Sequence, residues 1–308
     1  MQNTVDNTKA KIFYKLLFEI EKWQKRENLR RIKNVVSGRL QALEASAPTL
    51  VIGNAIPKSG TYLLNAIIRT LGGWQNPGLH VMSHSLVAMD EGGKSSQVYS
   101  ALAADVIESM PAGITVAAHL RYDSRLASLL ASNSSIKHIF LFRDFRDIFC
   151  SFDNWMVRFD EAGHSTVTGE KQRFYRDMFN DTDSSLAYTI CSMMESEHFD
   201  GYIPWLKDPN SLCLRFEDLY SETVDCPASG FGPNLRMIFE FLSVDSSTLD
   251  PVEFSRQVLG KGWTSSGQRN KIGQFREKFK PQHYQLLDNA RFRALMQSYG
   301  YTVDPAID

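Results

Sequence analysis

Pro57-Lys58-Ser59-Gly60-Thr61 places a cation, two hydroxyls and a glycine between an apolar run and a helix-forming stretch. That combination suits the binding of an oxyanion. A helix N-terminus presents unpaired N–H groups and a partial positive charge. Gly60 lets the backbone approach the anion closely. Ser59 and Thr61 add hydroxyl donors, and Lys58 adds a mobile charge. The order is not that of a Walker A loop, in which Lys follows the last glycine and precedes Ser or Thr. Here Lys58 comes before Gly60. By itself the string also fits an ordinary, well-capped strand-to-helix turn.

The elements that must position this loop read as alternating strands and helices. Residues 49–56 form a short apolar run, and Ser59 to Leu71 has helical spacing. Apolar runs recur at Ile114 to Leu120 and Ile136 to Arg143, the second followed by a helix to about Val157. Ser185 to Leu206 reads as a helix and Leu212 to Phe216 as a short strand. Such alternation predicts an α/β fold with a central parallel sheet flanked by helices. Residues 72–94 and 157–182 read as long loops, with His80 and His84 in the first; loops of that length form lids or binding edges. Residues 1–48 differ in character. Ile12, Phe13, Leu16, Leu17, Ile20 and Trp23 recur at helical spacing among lysines and arginines. This predicts a basic amphipathic helix that packs on the main domain or on a second subunit, or else touches a membrane surface or an acidic partner. The expected organisation is an N-terminal helical extension, 1–48, and one domain, 49–308.

The phosphate loop resembles that of sulfotransferases that use 3′-phosphoadenosine 5′-phosphosulfate (PAPS), and three further segments extend the resemblance. In Phe142-Arg143-Asp144-Phe145-Arg146-Asp147-Ile148-Phe149-Cys150-Ser151, Arg143 and Ser151 have the spacing of the family's arginine and serine, which hold the 3′-phosphate. A strand end would aim Arg143 at the ligand, and Ser151 would lie about two turns into the next helix. The alternative is a set of solvated ion pairs among Arg143, Asp144, Arg146 and Asp147. Gln268 to Arg276 is similar to the family's C-terminal 3′-phosphate loop, with Arg269 on its second basic position. Gln268 and Asn270 depart from the usual Arg and Gly. Leu214-Arg215-Phe216-Glu217-Asp218-Leu219 resembles a segment in which a tyrosine helps hold adenine; Phe216 keeps the ring without the hydroxyl. Tyr62 follows the phosphate loop where the family often has Thr. Val116-Ala117-Ala118-His119-Leu120 looks like the segment whose histidine deprotonates the acceptor. A neutral imidazole can take a hydroxyl proton as the acceptor attacks sulfur. The family lysine is Ala117 here and the proline is Arg121, so Arg121 and Arg125 become the candidates to restore the charge.

The resemblance implies a P-loop-like sulfotransferase fold and in-line transfer of a sulfuryl group from PAPS to a hydroxyl or amine. His119 would be general base, and Lys58 would stabilise the leaving oxygen. Lys58, Ser59, Gly60, Thr61, Tyr62, Arg143, Ser151, Phe216 and Arg269 would bind the donor. The product would be 3′-phosphoadenosine 5′-phosphate (PAP), and no metal is expected. Two other readings stay open: a P-loop-type kinase, and a non-catalytic nucleotide-binding scaffold. Among 308 residues the formal net charge is −1, which argues against nonspecific nucleic-acid binding. The four cysteines form no C-x-x-C pair, so reduced thiols are expected rather than zinc or a disulfide framework. No run of about eighteen apolar residues and no secretory h-region is present, so the expected location is cytoplasmic. The acceptor class and the oligomeric state stay open.

Overall fold

The computed structural model describes residues 26–27, 29–38, 46–89, 95–100, 102–158, 178, 181–196, 198–225, 227–260 and 272–303. Seven strands form one sheet in the order β4-β3-β2-β5-β1-β6-β7. They are β1 (Leu50–Ala55), β2 (Leu79–Met82), β3 (Ser85–Met89), β4 (Ser95–Ser100), β5 (Thr115–His119), β6 (Ile136–Phe142) and β7 (Ser211–Arg215). β2, β5, β1, β6 and β7 run parallel, and β3 and β4 add an antiparallel edge. The central strand β1, Leu-Val-Ile-Gly-Asn-Ala, is buried at every position. A parallel strand covered by helices on both faces needs such an unbroken run. Its side chains split by parity. Leu50 and Ile52 join the core on one face of the sheet, and Val51 and Ala55 the core on the other.

The helices that matter for the site follow β1, β2–β4, β5 and β6. They are α1 (Thr61–Leu71), α2 (Ala103–Glu108), α3 (Ser124–Ser132) and α4 (Phe145–Arg158). α5 (Thr182–Glu195) packs against α4. The expected helix over Ser185 to Leu206 is therefore two elements: α5, then a 3₁₀ helix, Asp200–Lys207. Gly201 and Pro204 sit in the second, and both disfavour a continuous α-helix. The expected loop over 72–94 also needs correction, because it contains β2 and β3. His80 lies in β2, and His84 lies in the tight turn to β3. Short polar-flanked strands at a sheet edge give little periodic signal.

Of the N-terminal amphipathic helix, Ile12 through Trp23 lie outside the described residues. Residues 29–38 are helical, and Ile32 and Val36, one turn apart, are buried in the main core. Glu27 pairs with Arg30 at 3.0 Å and with Arg31 at 3.5 Å on the outer face. This part of the segment docks on the domain. Among the described residues, no helix is long and apolar enough to cross a membrane.

Candidate active site

Parallel strands deliver their carboxyl ends to one edge, where ligands bind in open α/β sheets. β1 ends at Ala55 and the chain turns through Lys58 and Gly60 into α1. Both residues have positive φ, 73° at Lys58 and 97° at Gly60. For lysine that conformation is uncommon and is retained only where the surroundings fix it. Here the Arg143 guanidinium donates to the Lys58 carbonyl at 3.5 Å, and the Ser59 N–H donates to the Ile56 carbonyl at 2.9 Å. At Gly60 a Cβ would stand 2.3 Å from Cδ2 of Phe216, so only glycine fits between the loop and that ring. Ser59 is fully buried, and its Oγ has no hydrogen-bond partner among the described residues. Burial, with the Arg143 charge second, brings the Lys58 ammonium down to about 8. Its Nζ lies 5.6 Å from the centroid of the Trp155 ring, on α4.

β5 brings His119 to the same edge. Its Nδ1 stands 2.7 Å from the carbonyl oxygen of Ala55, the residue from which the phosphate loop departs. A carbonyl only accepts, so Nδ1 carries the proton and Nε2 is left as the basic nitrogen. Asn54 locks the two strand ends together: its Nδ2 donates to the Leu120 carbonyl at 3.0 Å, and the Leu120 N–H donates to its Oδ1 at 2.7 Å. Burial drives the His119 pKa down to about 4. The Ala55 hydrogen bond opposes that, and the charges of His198 and Lys58 add to it. The imidazole is therefore neutral at ordinary pH.

Sequence reasoning put His80 in a loop, yet in the sheet it is the register partner of Ala117. Its ring tilts against that of His119, with centroids 4.5 Å apart, and its Nε2 is buried without a partner among the described residues. Burial and then His119 hold its pKa well below the usual value. The contact between the two rings was not legible beforehand, because it follows from strand register. Asn54 was missed too, since a lone Asn in an apolar run has no signature.

Arg143 directly follows β6, is fully buried, and lies with its guanidinium carbon 4.6 Å above the centroid of Phe216. It pairs with Asp147 at 3.2 Å, one turn into α4. The ion pairs expected as solvated are thus largely enclosed, and Asp144 chelates Arg146 at 2.7 Å beside them. Phe216 is fully buried beneath the loop, so it supports Gly60 and Arg143 instead of presenting a free face. Glu217, from the same segment, accepts the Asp144 N–H at 3.0 Å and the Tyr301 hydroxyl at 2.8 Å. Ser151 is buried in α4, at 7% exposure. Tyr62 is 46% exposed in the first turn of α1. Arg269 lies outside the described residues. Arg125 is taken up by Asp105 and Glu108, so of these two arginines only Arg121 has no ion pair among the described residues. Among the described residues no cluster of three or more His, Cys, Asp or Glu side chains could hold a metal ion.

A sheet edge that offers an anion-binding loop and a neutral imidazole anchored to that loop's own strand defines an α/β protein equipped for group transfer. Residues 48–246, more than half of the chain, match the sulfotransferase domain family, and the chain belongs to it. Among solved structures it is similar to mouse sulfotransferase SULT7A1 complexed with PAP, at 14% identity over 85% of this chain and 89% of that one, with a TM-score of 0.49. It is also similar to retinol dehydratase in complex with androsterone and inactive cofactor PAP, at 16% identity over 88% and 86%, with a TM-score of 0.47. No curated protein sequence matches it.

Proposed function

We propose that the chain transfers a sulfuryl group from PAPS to a hydroxyl or amine acceptor, with residues 49–308 as one catalytic domain and 1–48 as an extension. The observation that carries this reading is the bond between His119 Nδ1 and the Ala55 carbonyl. It joins the base to the strand that bears the anion loop and fixes the tautomer that leaves Nε2 as proton acceptor.

The residues fit the donor. The buried, unpartnered Ser59 Oγ, the α1 N-terminus and the Lys58 ammonium together offer what an oxyanion would take up. PAPS supplies the activated sulfuryl group. Ser59, Gly60 and Thr61 hold the 5′ end, and Tyr62 offers its exposed ring beside them. Arg143, Ser151 and Arg269 hold the 3′-phosphate, with Phe216 as the floor under the loop. His119 Nε2 takes the acceptor proton. Lys58 balances charge on the leaving oxygen, a task of positioning and electrostatics.

The test is a labelled-sulfate assay with PAPS across phenolic, alcoholic and amine acceptors, for the wild type and His119→Ala. Transfer that collapses in the variant while PAP affinity persists supports the reading. Tight PAP binding without transfer to any acceptor would leave a nucleotide-binding scaffold.

A further inference from the structure

Beyond the carboxyl end of β5 stands a positive charge that has no ion pair among the described residues. Arg121 stands two residues beyond His119, and its backbone N–H donates to Ser83 Oγ at 3.2 Å, in the turn after β2. The next residue, Tyr122, donates its N–H to the Gly201 carbonyl at 2.6 Å. The Arg121 stem runs across Gly201 so closely that a Cβ there would lie 2.9 Å from Cδ and 3.1 Å from Cγ. Packing of this kind restricts the rotamers of the stem of a long, otherwise exposed side chain. Burial and then the Arg121 charge lower the His198 pKa to about 4, whereas at Tyr202 burial pushes the pKa up and Arg121 only partly opposes it.

Among the described residues, the nearby carboxylates of Asp123, Asp105, Glu108 and Asp200 all have other partners. Asp123 caps α3 by accepting the Leu126 N–H at 2.9 Å. Asp105 and Glu108 hold Arg125. Asp200, next to Gly201, holds Arg291 at 3.0 Å. The histidines on this side, His119 on β5, His80 on β2 and His198 in the turn before the 3₁₀ helix, bring no negative charge. The side chain of Arg121 makes no hydrogen bond or ion pair with any described residue. Meanwhile Met82, Leu102 and Tyr122 expose apolar surface on the same rim.

We propose that Arg121 selects acceptors bearing a carboxylate or similar oxyanion apart from the reacting hydroxyl. This rests on the reading of His119 as the base, because that fixes where the hydroxyl sits. Its stem is packed on Gly201 while its exposed guanidinium offers a planar fork to such a group.

The test uses matched pairs of hydroxy acids and their primary amides, aromatic and aliphatic, such as 4-hydroxyphenylacetate and 4-hydroxyphenylacetamide, with PAPS as donor. The quantity read is the acid-to-amide ratio of kcat/KM. We expect a ratio of ten or more in the wild type, a ratio near one in Arg121→Gln, and a partly restored preference in Arg121→Lys. A wild-type ratio near one, with transfer to amides intact, overturns the proposal and leaves the sulfotransferase reading standing. A ratio unchanged in Arg121→Gln, including an equal loss for both members, also overturns it and assigns Arg121 to the donor side in place of the lysine absent at Ala117. No transfer to any acceptor, charged or neutral, sinks both readings.

Discussion

Asp147 holds the N–H of Gly273 at 2.7 Å, across 126 residues of chain, while the same carboxylate oxygen pairs with Arg143 at 3.2 Å. Its other oxygen accepts the Phe275 N–H at 3.2 Å, and the Gln274 amide donates to its backbone carbonyl at 3.0 Å. One carboxylate therefore ties Arg143 to the end of segment 268–276. A change at Asp147 should be felt at both. In Asp147→Asn the amide oxygen can still accept one of the two N–H groups, but the NH2 faces the other donor and the side chain no longer neutralises the buried guanidinium. A drop of about 3 kcal/mol in stability is expected from breaking one side of a buried pair. Affinity for PAP should fall more than affinity for adenosine 5′-phosphate, which lacks the 3′-phosphate. Denaturant titration and calorimetry with both nucleotides check this, and equal weakening of the two would make Asp147 purely structural.

Arg143 supports the sharper form of that comparison. Truncation to Ala would strand Asp147 in the core, so Arg143→Lys is the cleaner variant. Lysine keeps the charge but loses the planar fork. PAPS binding should weaken by about 1–3 kcal/mol, the worth of a charge-assisted contact, with adenosine 5′-phosphosulfate nearly unaffected. A uniform loss across both ligands would place the arginine's role in the Lys58 carbonyl and not on the 3′-phosphate.

Gly60 is held by two constraints at once, a φ of 97° and the Phe216 ring. Gly60→Ala should cost roughly 2–3 kcal/mol through backbone strain and overlap. Adding Phe216→Leu should return part of the overlap but none of the strain. The double variant is thus expected to be less destabilised than the sum of the singles by about 1 kcal/mol. Strict additivity in thermal or denaturant unfolding would show that the ring yields freely.

These features divide by how far along the chain their cause lies. The phosphate loop and its flanking strand and helix were legible because their signal is local: an apolar run, then Lys58, Ser59 and Gly60, then helical spacing. Arg143 and its helix were legible for the same reason. The antiparallel edge was not, since the two-residue turn at Ser83 and His84 joins strands too short for periodicity to separate from loop. His80 and Asn54 were not, since each acts through a partner fixed by register, Ala117 and Leu120. The burial of Phe216 was not, because a ring at a strand end reads alike whether it faces a ligand or the underside of a loop.

The pH profile gathers the base and the loop into one measurement. Burial lowers the His119 pKa to about 4, so its Nε2 is free to accept a proton at any pH above that. Burial and Arg143 lower Lys58 to about 8, so its charge is present below that pH and lost above it. Activity that needs neutral His119 and charged Lys58 should give a bell in kcat/KM, which reports the free enzyme. Its acid limb should fall near pH 4, well below the usual imidazole value, and its alkaline limb near pH 8. In the complex with an anionic donor the Lys58 charge is favoured, so the alkaline limb of kcat should move upward. His119→Ala should lose roughly two to four orders of magnitude in turnover while PAP binding persists, and its residual rate should lack the acid limb. Lys58→Ala should lower kcat more than donor affinity, because its charge matters most as the leaving oxygen departs, and should remove the alkaline limb. An acid limb near pH 6.5 in the wild type would mean a solvated base. Asp123 is already committed to the α3 cap, so His84, in the exposed turn after β2, would then be the residue to substitute next.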